Sequence, residues 1–348
     1  MIETAVFWGA DRSAAEKEME AVLDFEMDLL QILKDPSHRG RNISKIYNEC
    51  NVSGLYEMNP NMNWKEYIET IYPYNIQDSE PVVVTLGQNF TKNFTKLYEE
   101  TDIRILANYA IGRMVRSLTP FVSEEFGELH FEIFKKMSGV QQRATRWKRC
   151  MAQTKDYFAT AIGSMYVQKF FKPEAKKMAI EMVDFIRTEM RDIINKVTWA
   201  DNQTIERAKE KLDAVTAHVA YPEELLDDKK LFEVYEDYNI SALNFFANMR
   251  HISRLDTIEY KEKLRKPVKR NFWEYKSNVA IVNAFYNSLD NSISIPAGIL
   301  QDVFFDFDRP QYMNFAAIGT VVGHELTHGF DNTGLIDTID SLRFLVRE

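Results

Sequence analysis

Apolar residues recur at helical intervals through most of the first 260 positions. Met19, Val22, Leu23, Leu30 and Leu33 form one such stripe, and Ser13 with Glu16 has the spacing of a capping box ahead of it. The same pattern predicts helices over 103–118, 121–137, 145–171, 173–197 and 202–219, with Pro173 at the helix position that tolerates proline best. Met and aromatic residues in these stretches read as core. After Lys266-Pro267 the period changes. Residues 279–286 (VAIVNAFY) and 292–295 are short, β-branched and aromatic, and the turn formers at 287–291 between them predict a hairpin. A loop through Asp308-Arg309-Pro310 then leads into a last helix over 312–330, with Gly334 just past its end. The expected fold is mainly α. A large helical body, residues 1–266, precedes a smaller part, residues 267–348, with the hairpin and the last helix.

Composition narrows this picture. The chain has 348 residues, 45% apolar and 27% charged, which is ordinary for a folded protein with a sizeable core. A net charge of -9 argues against nucleic acid as a partner, since such binding relies on Lys and Arg to neutralise phosphates. No run of 18 or more apolar residues spans a bilayer, and residues 1–10 lack the basic-then-apolar order of a signal peptide. The basic run 263–270 and the acidic run 223–237 read as solvated segments. Cys50 and Cys150 do not make a disulfide framework: they can pair with each other, stay free, or pair outside this chain. Six glycosylation sequons, at Asn42, Asn51, Asn89, Asn93, Asn202 and Asn239, lean towards the secretory pathway.

The candidate chemistry is concentrated at the far end, in His324-Glu325-Leu326-Thr327-His328. Residues four apart share a helix face, so His324 and His328 can offer imidazole nitrogens to one zinc ion. Glu325 is one position on, turned towards a water beside the ion, where it can act as general base. Asp331 lies three residues beyond His328 and can orient a ligand imidazole. The preceding stretch, 315–323, is small and apolar, as a buried helix must be. His38, His130, His218 and His251 have no ligand spacing and read as structural or exposed. The extended pattern HExxHxxGxxH fails, because its Gly and third His fall on Asp331 and Gly334. That leaves a distant downstream glutamate as third ligand, and Asp337, Asp340 and Glu348 lack the helical context for one.

Three stretches resemble the neprilysin and endothelin-converting-enzyme family of zinc metallopeptidases in letters, order and spacing. They are Val282-Asn-Ala-Phe-Tyr286, Ile295-Pro-Ala-Gly-Ile-Leu-Gln301 with Phe304-Phe305, and Val322-Gly-His-Glu-Leu-Thr-His-Gly-Phe-Asp331. Weaker similarity extends to Arg146-Trp-Lys-Arg-Cys150 and Ala161-Ile-Gly-Ser-Met-Tyr-Val167. The resemblance implies a mostly helical fold with a thermolysin-like zinc helix, His324 and His328 as ligands, Glu325 as catalytic carboxylate and Asp331 as the supporting acid. It places Asn283 and Ala284 on an edge strand that holds peptide substrate by backbone hydrogen bonds, the strand-addition mode the hairpin itself suggests. It also puts Ile299, Phe304 and Val321 around the apolar side chain that follows the scissile bond, although a plain core role fits them nearly as well. By family, the substrate is a peptide cut on the amino side of an apolar residue. The location is extracellular or cell-surface, with any membrane attachment through a segment this sequence lacks. The family's third ligand, in a Glu-Asn-x-x-Asp motif, and its later His and Arg have no counterpart before residue 348. The partner of the cysteine equivalent to Cys150 is likewise missing. The expectation is therefore a fragment, or a truncated non-catalytic product, with little or no activity of its own.

Overall fold

The computed structural model describes residues 1–34, 48–84, 87–267, 278–288 and 290–331. In chain order the helices and strands are α1 (Ile2–Phe7), α2 (Arg12–Lys34), β1 (Asn48–Asn51), α3 (Val52–Met58), α4 (Trp64–Ile71), β2 (Pro81–Val84), α5 (Gly87–Glu100), α6 (Ile103–Leu118) and α7 (Glu124–Ser138). There follow α8 (Arg146–Tyr157), α9 (Ala159–Phe170), α10 (Pro173–Asn195), α11 (Asn202–Asp213), β3 (Thr216–Ala220), α12 (Asp228–Tyr235), α13 (Phe245–Glu262), β4 (Phe285–Asn287), β5 (Ser292–Pro296), α14 (Gln311–Ala316) and α15 (Ile318–His328). They sort into two compact units, residues 1–144 with 239–265 and residues 145–238 with 266–348. The change of texture near residue 266 falls on one crossing between units. The second unit also takes in 145–238, because α10 and β3 supply much of the core around β5.

The mainly helical expectation holds, with local corrections that have local causes. The cap of helix α2 lies two residues before the expected Ser13, on Asp11, whose carboxylate accepts from the Ala14 amide at 3.0 Å. The expected helix over 121–137 starts instead at Ser123, whose side chain caps it, after a short 3-10 turn containing Pro120. The expected helix 145–171 is two, meeting at Phe158 (φ -119°, ψ 31°). The largest correction is at 202–219. The helix ends at Asp213, and residues 216–220 form β3, paired in parallel with β5 from Thr216 opposite Ser292 to Ala220 opposite Pro296.

The predicted hairpin is present but shorter. Strand β4 pairs with β5 antiparallel, Phe285 opposite Ser294 and Asn287 opposite Ser292, so the three-stranded order is β3-β5-β4. Residues 279–284 stay irregular because their backbone is used elsewhere: the Gly298 amide donates to the Val279 carbonyl at 2.8 Å. The last helix is also two. At Ala317 (φ -100°, ψ -88°) the chain turns, and the Ile318 amide donates to the Phe304 carbonyl at 3.1 Å instead of continuing α14. Gly334 lies outside the described residues.

The main core belongs to the second unit. Met182 and Val183 of α10, Leu212 of α11, Val219 of β3, Ile293 and Ile295 of β5, and Ile318, Val322 and Leu326 of α15 are all buried in one cluster. Among the described residues no helix is long and apolar enough to cross a membrane. Cys50 in β1 and Cys150 in α8 are both free thiols, and burial pushes the Cys50 thiol up.

Candidate metal centre

Helix α15 carries the histidines because its other face is anchored. Ile318, Val322 and Leu326 recur at helical spacing and face the core, each no more than 2% exposed. That leaves His324 and His328 together on the more open side. Their Nε2 atoms stand 3.0 Å apart, with ring planes at 83°. Two nitrogens each about 2.0–2.1 Å from a tetrahedral ion would be roughly 3.3 Å apart, so the pair sits close to what one zinc requires. Asp331 Oδ2 lies 2.9 Å from His328 Nδ1. A proton held on Nδ1 by that carboxylate leaves the Nε2 lone pair free, the tautomer a metal ligand needs. Glu325, between the two histidines in sequence, is buried at 6% exposure, an uncommon place for a carboxylate. Among the described residues no group of three or more His, Cys, Asp and Glu side chains gathers to hold a metal, so the donor set is two imidazoles.

The end of α15 rests on the hairpin. A Cβ added at Gly329 would stand 3.4 Å from the Tyr286 ring, next to the His328 position. The Tyr286 hydroxyl donates to Asn291 Oδ1 at 3.0 Å, and Asn291 Nδ2 donates to the Lys211 carbonyl at 3.0 Å. The Asn291 carbonyl in turn accepts the Thr216 amide at 3.1 Å. Asn291 is 1% exposed and has φ +52°, a left-handed conformation that Asn adopts more readily than most residues. One buried asparagine, through its side chain and its backbone carbonyl, thus ties the end of α11, the start of β3 and the strand beside the metal helix.

Asn283 and Ala284 fall immediately before β4, the outer strand of the described sheet, and not within it. Asn283 is exposed, and its Oδ1 accepts the Ala284 amide at 2.9 Å. Ile299 is part of the buried core, and Phe304 and Val321 are partly buried and pack against it. Of the sequon asparagines, Asn51, Asn89, Asn93, Asn202 and Asn239 are exposed, and Asn42 lies outside the described residues. Asn51 also caps α3, accepting the Gly54 amide.

Two models of peptidase family M13 match the chain, one over residues 1–222 and one over residues 283–341. The chain belongs to peptidase family M13. It is 37% identical to neprilysin-2 of Drosophila melanogaster over 346 residues, covering 96% of this chain and 45% of that protein. It is 33% identical to human endothelin-converting enzyme 1 over 328 residues, covering 94% of this chain and 42% of that protein. The chain therefore spans less than half the length of these M13 relatives. Among solved structures it is similar to the Mycobacterium tuberculosis zinc metalloprotease in complex with inhibitor, with TM-score 0.81, 26% identity, and coverage of 95% of this chain and 48% of that one. A Lactobacillus rhamnosis PepO structure, at TM-score 0.82 and 20% identity, covers 97% of this chain and 52% of that one and shares the fold.

Within this M13 chain the histidine spacing was legible from sequence, and its supports were not. Tyr286, Asn291, Gly298 and Gly329 act through packing and hydrogen bonds between distant segments. A turn-forming Asn at the foot of a predicted hairpin was the one local signal for Asn291.

Proposed function

We propose that this M13 chain supplies the two-histidine portion of a zinc endopeptidase that cuts extracellular or cell-surface peptides on the amino side of apolar residues. The observation that carries the reading is the convergence of His324 and His328 Nε2 at 3.0 Å with Asp331 on the far nitrogen of His328. Zinc, when bound, supplies a positive charge that polarises a peptide carbonyl and acidifies water. The chain's own residues do the rest. Asp331 keeps the proton of His328 on Nδ1, and the Glu325 carboxylate accepts a proton from the attacking water and returns it to the leaving amine. The outer edge of β4, with Asn283 and Ala284 at its entrance, binds extended peptide through backbone hydrogen bonds. Ile299, Phe304 and Val321 set the preference for an apolar side chain after the cut.

Catalytic zinc sites use three protein ligands, and this chain gathers two among its described residues. It is accordingly proposed to bind zinc weakly and to hydrolyse no peptide alone. The test is calorimetric zinc titration of the whole chain beside a fluorogenic peptide assay. Expected are a single weak site lost in His328→Ala and no turnover. Zinc binding indifferent to His324→Ala and His328→Ala would remove the metal site, and Glu325-dependent turnover would overturn the inactivity. The outer edge of β4 also favours a second reading, a non-catalytic peptide binder. Under it, peptide affinity is unchanged by Glu325→Gln and lost when the edge is blocked by Phe285→Pro.

A further inference from the structure

The first unit contains a cavity that the peptidase reading does not use. It has a volume of about 280 Å³, lies among α1, α2, α6 and α7, and is walled by apolar side chains including Val22 and Trp8. Gly112 of α6 forms part of the wall, and a Cβ built there meets nothing within 4 Å. Glycine is a poor residue for a helix interior, and here its missing side chain leaves space that the other walls do not fill.

Of the charged side chains that line this cavity, Arg113 and Arg116 are cationic and Glu26 is anionic, beside neutral polar groups such as Asn108 and Tyr109. Arg116 already faces Glu26 at 3.7 Å. Arg113, exposed on the same helix, makes no ion pair or hydrogen bond among the described residues. An apolar hollow with a few convergent polar groups is the usual form of a small-molecule site. An uncompensated guanidinium at its wall selects an anion.

We infer that this cavity binds a small amphiphile with an apolar body and one anionic head, of the medium-chain carboxylate class, the body lying against Gly112 and Val22 and the head on Arg113. Its volume, at the lower end of the range for ligand pockets, suits a chain of modest length and excludes a bulky lipid.

The test is titration of the whole chain with sodium decanoate and, separately, with decan-1-ol, followed by Trp8 fluorescence with Trp8→Phe as control, and by calorimetry. Saturable one-to-one decanoate binding is expected, about tenfold tighter than decanol. Arg113→Gln should bring decanoate down to the level of decanol, and Gly112→Leu, which places a side chain in the hollow, should abolish both while leaving the far-ultraviolet circular dichroism unchanged. Absence of saturable decanoate binding, or binding that survives Gly112→Leu in a folded protein, overturns the site. Equal binding of decanoate and decanol overturns the anionic head. If Gly112→Leu does not fold, Arg113→Gln at the exposed rim decides alone: unchanged decanoate affinity rejects the proposal.

Discussion

The two compact units achieve cohesion differently. In the second, buried residues from α10, α11, β3, β5 and α15 form one continuous apolar cluster. In the first, helices are linked at the surface by ion pairs such as Arg12–Glu3 and Arg104–Glu18, and their apolar stripes leave Ile111, Met114 and Ile133 about half exposed. Exposed ion pairs contribute little, whereas buried methylenes contribute steadily with area. The unit that must hold two imidazoles within a fraction of an ångström is the one with the dense core.

Truncating the core gives the sharpest contrast. Leu326→Ala, at a 1% exposed position on the metal helix, should cost about 3–4 kcal/mol in urea denaturation. Leu55→Ala in the first unit, at 5%, should fall near the lower end of the same range, about 2 kcal/mol. Equal losses would break the comparison. A single type of substitution should then change sign between units. A Cβ at Gly298 would sit 2.6 Å from the Ile281 carbonyl oxygen, so Gly298→Ala is expected to destabilise by about 2–3 kcal/mol. Gly112→Ala, with open space and a helical backbone, should stabilise by about 0.5–1 kcal/mol.

Asp331→Asn should weaken zinc binding by about 10- to 100-fold with little change in melting temperature, because it releases the His328 tautomer and leaves the core intact. Equal zinc affinity in calorimetry would show that the carboxylate does not orient the ring. A smaller effect concerns pH. Burial holds the His218 pKa below its ordinary 6.5, with Asp290 opposing. The unfolded chain therefore takes up a proton first as pH falls below about 6.5, and stability drops on acidification through that window. His218→Gln should flatten the decline between pH 7 and 5 in denaturation curves. Smallest of all, Arg104→Ala, which removes an exposed partner of Glu18, should leave the melting temperature within error.

Helices with a strong local pattern were readable in advance: α6 runs from Ile103 to Leu118 as its periodicity predicts. So was the pairing of His324 with His328, which helical spacing fixes; Asp331 lies beyond the end of α15 and reaches His328 through the turn that follows. Strand β3 was not readable. Its Thr216-Ala-His-Val-Ala220 run follows a helix in phase, and only β5, far along the chain, makes it a strand. The breaks at Phe158 and Ala317 were likewise hidden, since the Ile318 amide is diverted by a Phe304 carbonyl outside that helix. Asn283 and Ala284 were expected inside a strand because β-branched residues surround them, but Gly298 claims the backbone just upstream.

The interleaving of the units also sets an order of events. The chain leaves the second unit after residue 238, completes the first with 239–265, and only then returns. During synthesis β3 must wait for β5, and Asn291 must arrive before α11 and the hairpin are joined. Closing so long a loop is slow relative to pairing neighbouring helices. The first unit can therefore be assembled while the metal helix is still unmade.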